Sequence, residues 1–394
     1  MFKIDNFEVY IDNTNISSMC TSMSLYESIH GHIKGTIHVE DKLNFFDLFF
    51  RGLALTSIKL SYSYMDVPTE IVLYVDGVTD QVISKQGKSY NINLVSINNL
   101  NESTARICNS YTGTSNDILA ALWQETHGPK VILALDSETT SKGKYIVPNI
   151  SAKNAIRNVV LSAYDKNDTP MFLYQRLIDQ NVTRFTSIHT MQNNKFLSEH
   201  YENFHIHSAE ITKQGVTEVS STIGSTSSFT MPDYNKNFIT KLSGGMWGQK
   251  ITEVAISETT NKVLPPMETT DVEITRMKLS KNLYSNIEKA DGPAGQITSY
   301  PQKSLFDPGS VVSKEILVNM KYRLFNTTLM ATNVVAIPGI GCGMVVNVAQ
   351  GGGQVSITKT DGTYLIANIN HRYIMEDGAM QYSQNIGLVR EGKE

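Results

Sequence analysis

Histidines are where chemistry would start in this chain. His30 and His32 form an i, i+2 pair, and His205 and His207 form another. On a β-strand, positions i and i+2 share a face, so each pair offers two imidazoles to one metal ion. Neither pair has a third or fourth ligand at a telling spacing. His200 precedes the second pair, yet Glu199 and Glu202 do not fall into the H-E-x-x-H order of a zinc-binding helix. The expectation is polar strand faces, with no metal and no cofactor.

Nucleophile signatures are equally weak. No G-x-S-x-G is present, and Gly224-Ser225-Thr226 sits in a Ser/Thr-rich stretch. Gly351-Gly352-Gly353 lies between two strand patterns, which reads as a hairpin turn and not as a phosphate cradle. Gly339-x-Gly341-x-Gly343 leads into a strand pattern with no helix to receive a phosphate. Cys20, Cys108 and Cys342 stand far apart, with no C-x-x-C pair, and buried structural thiols are the default. No Asp or Glu pair declares itself as a glycosidase dyad, because that dyad is defined by geometry. The chain is therefore expected to carry no catalytic residues.

One cluster stands out for contact instead of catalysis. Phe45, Phe46, Phe49 and Phe50 recur at i, i+1, i+4 and i+5, one face of a short helix from Asp41 to Arg51. Asp41 would cap that helix and Gly52 would end it. Core packing of a helix on a barrel is the simpler reading. A patch facing a partner is the sharper one.

The elements that would hold these residues are mostly strands. Phe7 to Ile11, Gly35 to Glu40 and Ser57 to Tyr62 alternate apolar and polar residues, the period of half-buried strands. Residues 70–83 and 90–97 read as a hairpin turning near Gly87. The middle changes character. Thr114 to Asp117 opens a helical pattern through Ile118, Leu119, Leu122 and Trp123 that Gly128 closes. Ser151 caps a second helix with Ala152, Ala155, Ile156, Val159, Val160 and Ala163 on one face. Met171 to Tyr174 follows as a buried strand. A third helix is expected over 310–325, then a strand from Pro338-Gly339 to Val348 and two closing strands.

Length and composition agree. At about 150 residues per domain, 394 residues make two to three domains. Charged residues are only 18% of the chain, and Ser, Thr and Asn fill the gap, which suits β-rich surfaces and turns. A net charge of −4 supplies no basic excess for gripping nucleic acid or anionic lipid. The first residues lack a basic segment followed by an apolar stretch, and no apolar run approaches the ~20 residues of a spanning helix.

The chain also echoes itself. Val78, Val82, Ile83 and Gly87 fall on Ile369, Tyr373, Ile374 and Gly378 at a constant offset of 291. After a one-residue slip, Tyr90, Ile92 and Leu94 fall on Tyr382, Gln384 and Ile386.

In four places the chain resembles the baseplate hub proteins of contractile-tailed phages and the hub portion of type VI secretion spike proteins. These are the strand–Asp41–helix–strand run to Tyr62, and the hairpin leading through Leu100 to the helix capped near Ser115. The third is the Ser151–Tyr164 helix with the Met171–Tyr174 strand. The last is the ending, where Tyr364-x-Ile366-x-x-Ile369-x-His371 precedes Leu388-Val389-Arg390. The likeness runs over most of the chain except roughly 220–305. It implies a β-rich α+β fold of two tail-tube-like antiparallel β-barrel domains with an intervening α/β domain and an insertion. The expected boundaries are 1–105 for the first barrel and 106–203 for the α/β domain. The second barrel takes 204–222 plus 325–394, and 223–324 is inserted.

What the resemblance implies for function is structural. Three copies would make a homotrimeric ring of pseudo-sixfold symmetry between a hexameric tail tube protein and a trimeric central spike protein. Tape-measure and baseplate wedge proteins would be further contacts. DNA would pass through the lumen without specific binding, and nothing would insert into a membrane. The location would be the virion's tail baseplate, assembled in host cytoplasm. Two other classes stay open. A tail-associated cell-wall hydrolase could use the fold as scaffold, although the chain stops shortly after Val389 and leaves no room for a fused lytic domain. A carbohydrate-binding β-protein is the other, weakened by having only Trp123 and Trp247.

Overall fold

Alternation builds the first half. In the strand Ser57–Tyr64, Ile58, Leu60, Tyr62 and Tyr64 point inward and the residues between point out. The computed structural model describes residues 2–43, 45, 55–84, 87–129, 131–140, 142–167, 169–193, 205–208, 223–226, 228–230, 248–253, 267–273, 297–299, 327–349 and 362–390. Eight strands open it: β1 (Phe2–Lys3), β2 (Asp5–Ile11), β3 (Thr14–Asn15), β4 (Cys20–Ser28), β5 (Lys34–Asp41), β6 (Ser57–Tyr64), β7 (Val67–Ser84) and β8 (Gly87–Val95). Their order across the sheet is β4-β5-β8-β7-β6-β2-β3, with every neighbour antiparallel. Two tight turns fix the register. Asp12-Asn13 and Met65-Asp66 all have positive φ, the two-residue geometry that follows the right-handed twist of the strands. The inward faces, with Val9, Ile37, Ile71 and Ile92 at its centre, make the first core.

The expected 70–83/90–97 hairpin is β7–β8, and its return strand gives way to a helix that periodicity did not announce. Helix α1 (Ile97–Thr104) is capped by Ser96, whose hydroxyl accepts from the Asn99 amide. It buries Asn98, Asn99 and Glu102, polar residues that leave no apolar stripe to read.

The middle segment follows the sequence reading closely. It runs β9 (Arg106–Thr114), α2 (Ser115–His127), β10 (Ile132–Leu135), β11 (Lys142–Ser151), α3 (Ala152–Ser162), β12 (Met171–Gln175), β13 (Val182–Ser187) and α4 (Ile188–Asn193). Thr114 and Asp117 form a reciprocal capping box, and Ser151 accepts from the Asn154 amide at the start of α3. The apolar faces of α2 and α3 meet over Tyr145 and Phe185 in a core of their own. Strand β13 pairs parallel to β10 and antiparallel to β12.

The remaining strands are β14 (His205–Ser208), β15 (Ser225–Thr226), β16 (Ser228–Thr230), β17 (Gly248–Glu253), β18 (Met267–Glu273), β19 (Ile297–Ser299), β20 (Thr327–Val335), β21 (Val345–Ala349), β22 (Gly362–Glu376) and β23 (Ala379–Arg390). β17, β18 and β19 form a separate three-stranded sheet. The short strands at 225–230, which the sequence reading counts with the insertion, hydrogen-bond to β14 and β20 of the second half. The strand expected from Pro338 begins only at Val345. Positive φ at Gly339 and Gly343 turns the chain before it. The helix expected over 310–325 lies outside the described residues.

The two halves share one hairpin. Strand β22 pairs along its length with β23, and Asp377-Gly378 closes the turn with positive φ at both positions. On its other edge, β22 pairs β21 through Gly362–Leu365, then β4 through Asn368–Ile374. β23 likewise pairs β20 through its C-terminal part and β1 at Tyr382 and Gln381. The base of the hairpin thus packs in the second core, with Ile366 and Leu388, and its tip packs in the first, with Tyr373, Met380 and Tyr382. Both echoing hairpins are present. They share a bulge, at Val75/Gly77 and Ile366/Asn368, and their registers differ only beyond a second bulge of β7–β8 at Thr79/Val82.

Candidate functional site

Polar side chains converge where the shared hairpin meets the first half and the middle segment. Glu27 stands on β4 at an inward position, continuing the Met23, Leu25 alternation, and is 0% exposed. A buried carboxylate is costly unless its oxygens are satisfied. Here Oε2 accepts from the Leu177 amide at 2.7 Å and Oε1 from the Cys342 amide at 3.1 Å. His371 Nε2 lies 3.5 Å from the same Oε1. One side chain of the first half therefore ties down the middle segment, the loop before β21 and the hairpin strand β22.

Around it the tyrosines form a stack. Tyr373 and Tyr382 lie face to face across the hairpin with ring centroids 4.7 Å apart. Tyr62 meets Tyr373 edge-on and shares a 2.8 Å hydroxyl–hydroxyl hydrogen bond with it. Tyr64 donates to the Ala336 carbonyl at 2.8 Å. Gln384 donates from Nε2 to the Tyr382 hydroxyl and accepts from the Ile337 amide. His371 Nδ1 sits 2.7 Å from that hydroxyl. Burial pushes the phenols of Tyr62, Tyr373 and Tyr382 up, so they stay protonated. A cavity of about 530 Å³ opens beside the cluster, lined among others by Tyr62, Tyr64, Gln180, His371 and Tyr382.

A second polar knot fastens the middle segment. Glu102 on α1 is buried between His32 Nε2, 2.7 Å away, and His127 Nε2, 3.5 Å away. Burial pushes its carboxyl up, but the two histidines more than offset this and hold it near 2. Asp179 bridges Arg176 and Arg184, and Arg184 also reaches Asp136. These arrangements satisfy and cross-link buried charges; they present no aligned nucleophile and base.

The residues singled out by sequence are placed as follows. His30 and His32 do not share a strand face: they lie in the turn before β5, His30 edge-on to Phe172 and His32 on Glu102. His205 and His207 lie on β14, which pairs parallel to β21. Among the described residues, no group of three or more His, Cys, Asp or Glu is placed to hold a metal ion. Cys20 and Cys342 are buried and Cys108 is exposed, all as free thiols; burial pushes Cys20 up to about 12. Phe45 is half-buried against the first core, and its amide donates to Asp41 Oδ1. Phe46, Phe49 and Phe50 lie outside the described residues. Sequence reasoning missed Glu27 and Glu102, and named His371 only as part of the closing strand pattern. For Glu27 and His371 a signal existed: each occupies an inward position in a strand of otherwise apolar inward residues.

This architecture has counterparts among solved structures. The tail protein from Neisseria meningitidis MC58 superposes with a TM-score of 0.57 at 10% identity, covering 99% of this chain and 98% of that one. The chain shares the fold of that tail protein. The 43 kDa tail protein of prophage MuSo2 from Shewanella oneidensis gives 0.54 at 12% identity over 98% of both chains. A chain of the Francisella PdpA–VgrG complex gives 0.50 at 10% identity, covering 99% of this chain and 60% of that one. This tail-protein fold is recognised through structure alone. No protein-family profile matches the sequence, and no curated protein matches it. Among the described residues, no helix is long and apolar enough to cross a membrane.

Proposed function

We propose that the chain is a structural hub of a phage tail, in which three copies close a ring around a channel. The observation that supports this is the shared hairpin. It sets two related β domains side by side in one chain, by continuing β22 from β21 onto β4. Three such pairs give six β domains, which would present a pseudo-sixfold face to a hexameric tube and a threefold face to a trimeric spike. Symmetry matching requires patches at the right angular spacing, and a two-domain repeat supplies both spacings. The first domain spans about 1–105 and the α/β domain 106–203. The second takes 204–222 with 325–394, and the short strands β15 and β16 pair with its strands β14 and β20.

The tail-protein neighbours support a place in the virion tail. The PdpA–VgrG neighbour is itself held in an assembly with another protein. Tube and spike are the partners this reading names, with tape-measure and wedge proteins around them. The Phe45–Phe50 segment is offered as one partner contact. DNA passes through the channel, and a chain of net charge −4 carries no basic excess to retain it. The role is mechanical and not enzymatic.

Light scattering of the purified chain tests the ring. The expected mass is three times 43.8 kDa, alone at high concentration or with the cognate spike. A monomer under both conditions overturns the reading. Peptidoglycan zymography should be blank, and lysis that depends on residues 220–305 would favour the hydrolase.

A further inference from the structure

The shared hairpin has an unmatched twin. In the echo, β7 corresponds to β22 at the offset of 291. Ile71–Tyr74 then corresponds to Gly362–Leu365, and both segments pair a strand of their own half: β6 for the first, β21 for the second. Gly77–Ile83 corresponds to Asn368–Ile374, the seven residues that pair β4. On β7 that same stretch pairs only β8, and among the described residues no strand lies along its other edge. Its side chains show the consequence. Val82 is 59% and Ile83 76% exposed, whereas Tyr373, the counterpart of Val82, is 0% exposed.

The matching receptor edge can be found the same way. β4 reaches the first hairpin through β5, which pairs β8. In the second half, β20 takes the place of β5 against β23, and β16 pairs β20 antiparallel as β4 pairs β5. Ser228–Thr230 is therefore the counterpart of Ser22–Ser24, the β4 residues that receive Arg372–Ile374 at the hairpin tip. Among the described residues its outer edge is also unpaired. An open strand edge with apolar side chains is a template for strand addition.

The geometry points to a second copy of this chain as the occupant. The β7 edge from Gly77 to Ile83 adds antiparallel to β16 of the next copy, repeating between chains the contact that β22 makes with β4 within one. This rests on the hub reading and specifies its interface. One kind of contact then recurs at all six seams of the ring, three within chains and three between them, and the exposed Val82 and Ile83 become buried.

Disulfide trapping tests it. In the echo Val82 and Ile83 correspond to Tyr373 and Ile374, which pair Met23 and Ser22. Phe229 stands on Ala331 as Met23 stands on Ile37, so Val82 faces Phe229 and Ile83 faces Ser228. Directly opposed antiparallel residues lie ~4.5–5.5 Å apart at Cα, within disulfide reach. On a Cys108→Ser background, Val82→Cys combined with Phe229→Cys, or Ile83→Cys with Ser228→Cys, should in at least one of the two give oxidised dimers and trimers on a non-reducing gel. Single-cysteine controls should give none. Val82→Asp with Ile83→Asp should raise the dissociation constant of the trimer at least ~100-fold, the worth of two buried aliphatic side chains. Thermal unfolding of the free chain should not change. A wild-type trimer that cross-links in neither double variant, or that survives the aspartates, overturns the strand addition while the hub reading stands. A wild-type monomer overturns both.

Discussion

Glu27 Oε1 lies 3.1 Å from the amide nitrogen of Cys342, a residue 315 positions further along the chain. Its second oxygen holds Leu177. Replacing Glu27 by Ala strands two buried amides, each worth roughly 1–3 kcal/mol, so Glu27→Ala should lose about 3–5 kcal/mol. Glu27→Gln keeps one acceptor and should lose less. The denaturant midpoint measures both, and an unchanged midpoint for Glu27→Ala would contradict a clamp at this point.

The tyrosine stack allows a graded test of the hairpin tip. Tyr373→Phe removes only the hydroxyl bonded to Tyr62 and should cost about 1 kcal/mol. Tyr373→Ala removes a fully buried ring and should cost about 3–5 kcal/mol. Amide hydrogen exchange should then accelerate along 368–374 and 22–28 together, because those residues are one paired ladder.

Two glycines separate backbone strain from steric clash. Gly378 has φ +75°, and a Cβ there would meet nothing within 4 Å. Gly378→Ala should therefore cost only the left-handed backbone penalty of about 1 kcal/mol. Gly343 has φ +79°, and a Cβ there would collide with the Tyr174 hydroxyl. Gly343→Ala should cost about 3 kcal/mol or more, since the buried ring has to move. Thermal unfolding of the two variants side by side reads the difference.

Acid should loosen the fold through Glu102. Its carboxyl falls from 4.5 in the open chain to about 2 in the fold, where it lies between His32 and His127. A group held lower in the folded state stabilises it above the unfolded value. That contribution is complete above about pH 5 and drains away as pH falls from 4.5 toward 2. The stability gap between wild type and Glu102→Gln should be flat above pH 5 and close below it. A gap that is constant down to pH 2 would contradict the assignment.

Much of this protein is legible in local pattern. Period-two alternation marks β2, β5 and β6, Thr114 and Ser151 announce α2 and α3, and the echo finds both hairpins. These signals are local because a cap or a pleat is decided by neighbours in the chain. Helix α1 escaped because it buries asparagines and a glutamate instead of an apolar stripe. Alternation says which face of a strand turns inward, but not which core receives it. Ile366 and Tyr373 lie on the same strand and pack in different cores. That division, the burial of Glu27 against Leu177 and Cys342, and the open edge of β7 beside its docked twin are set by contacts between residues hundreds of positions apart. Only the tertiary structure brings those residues within hydrogen-bond range.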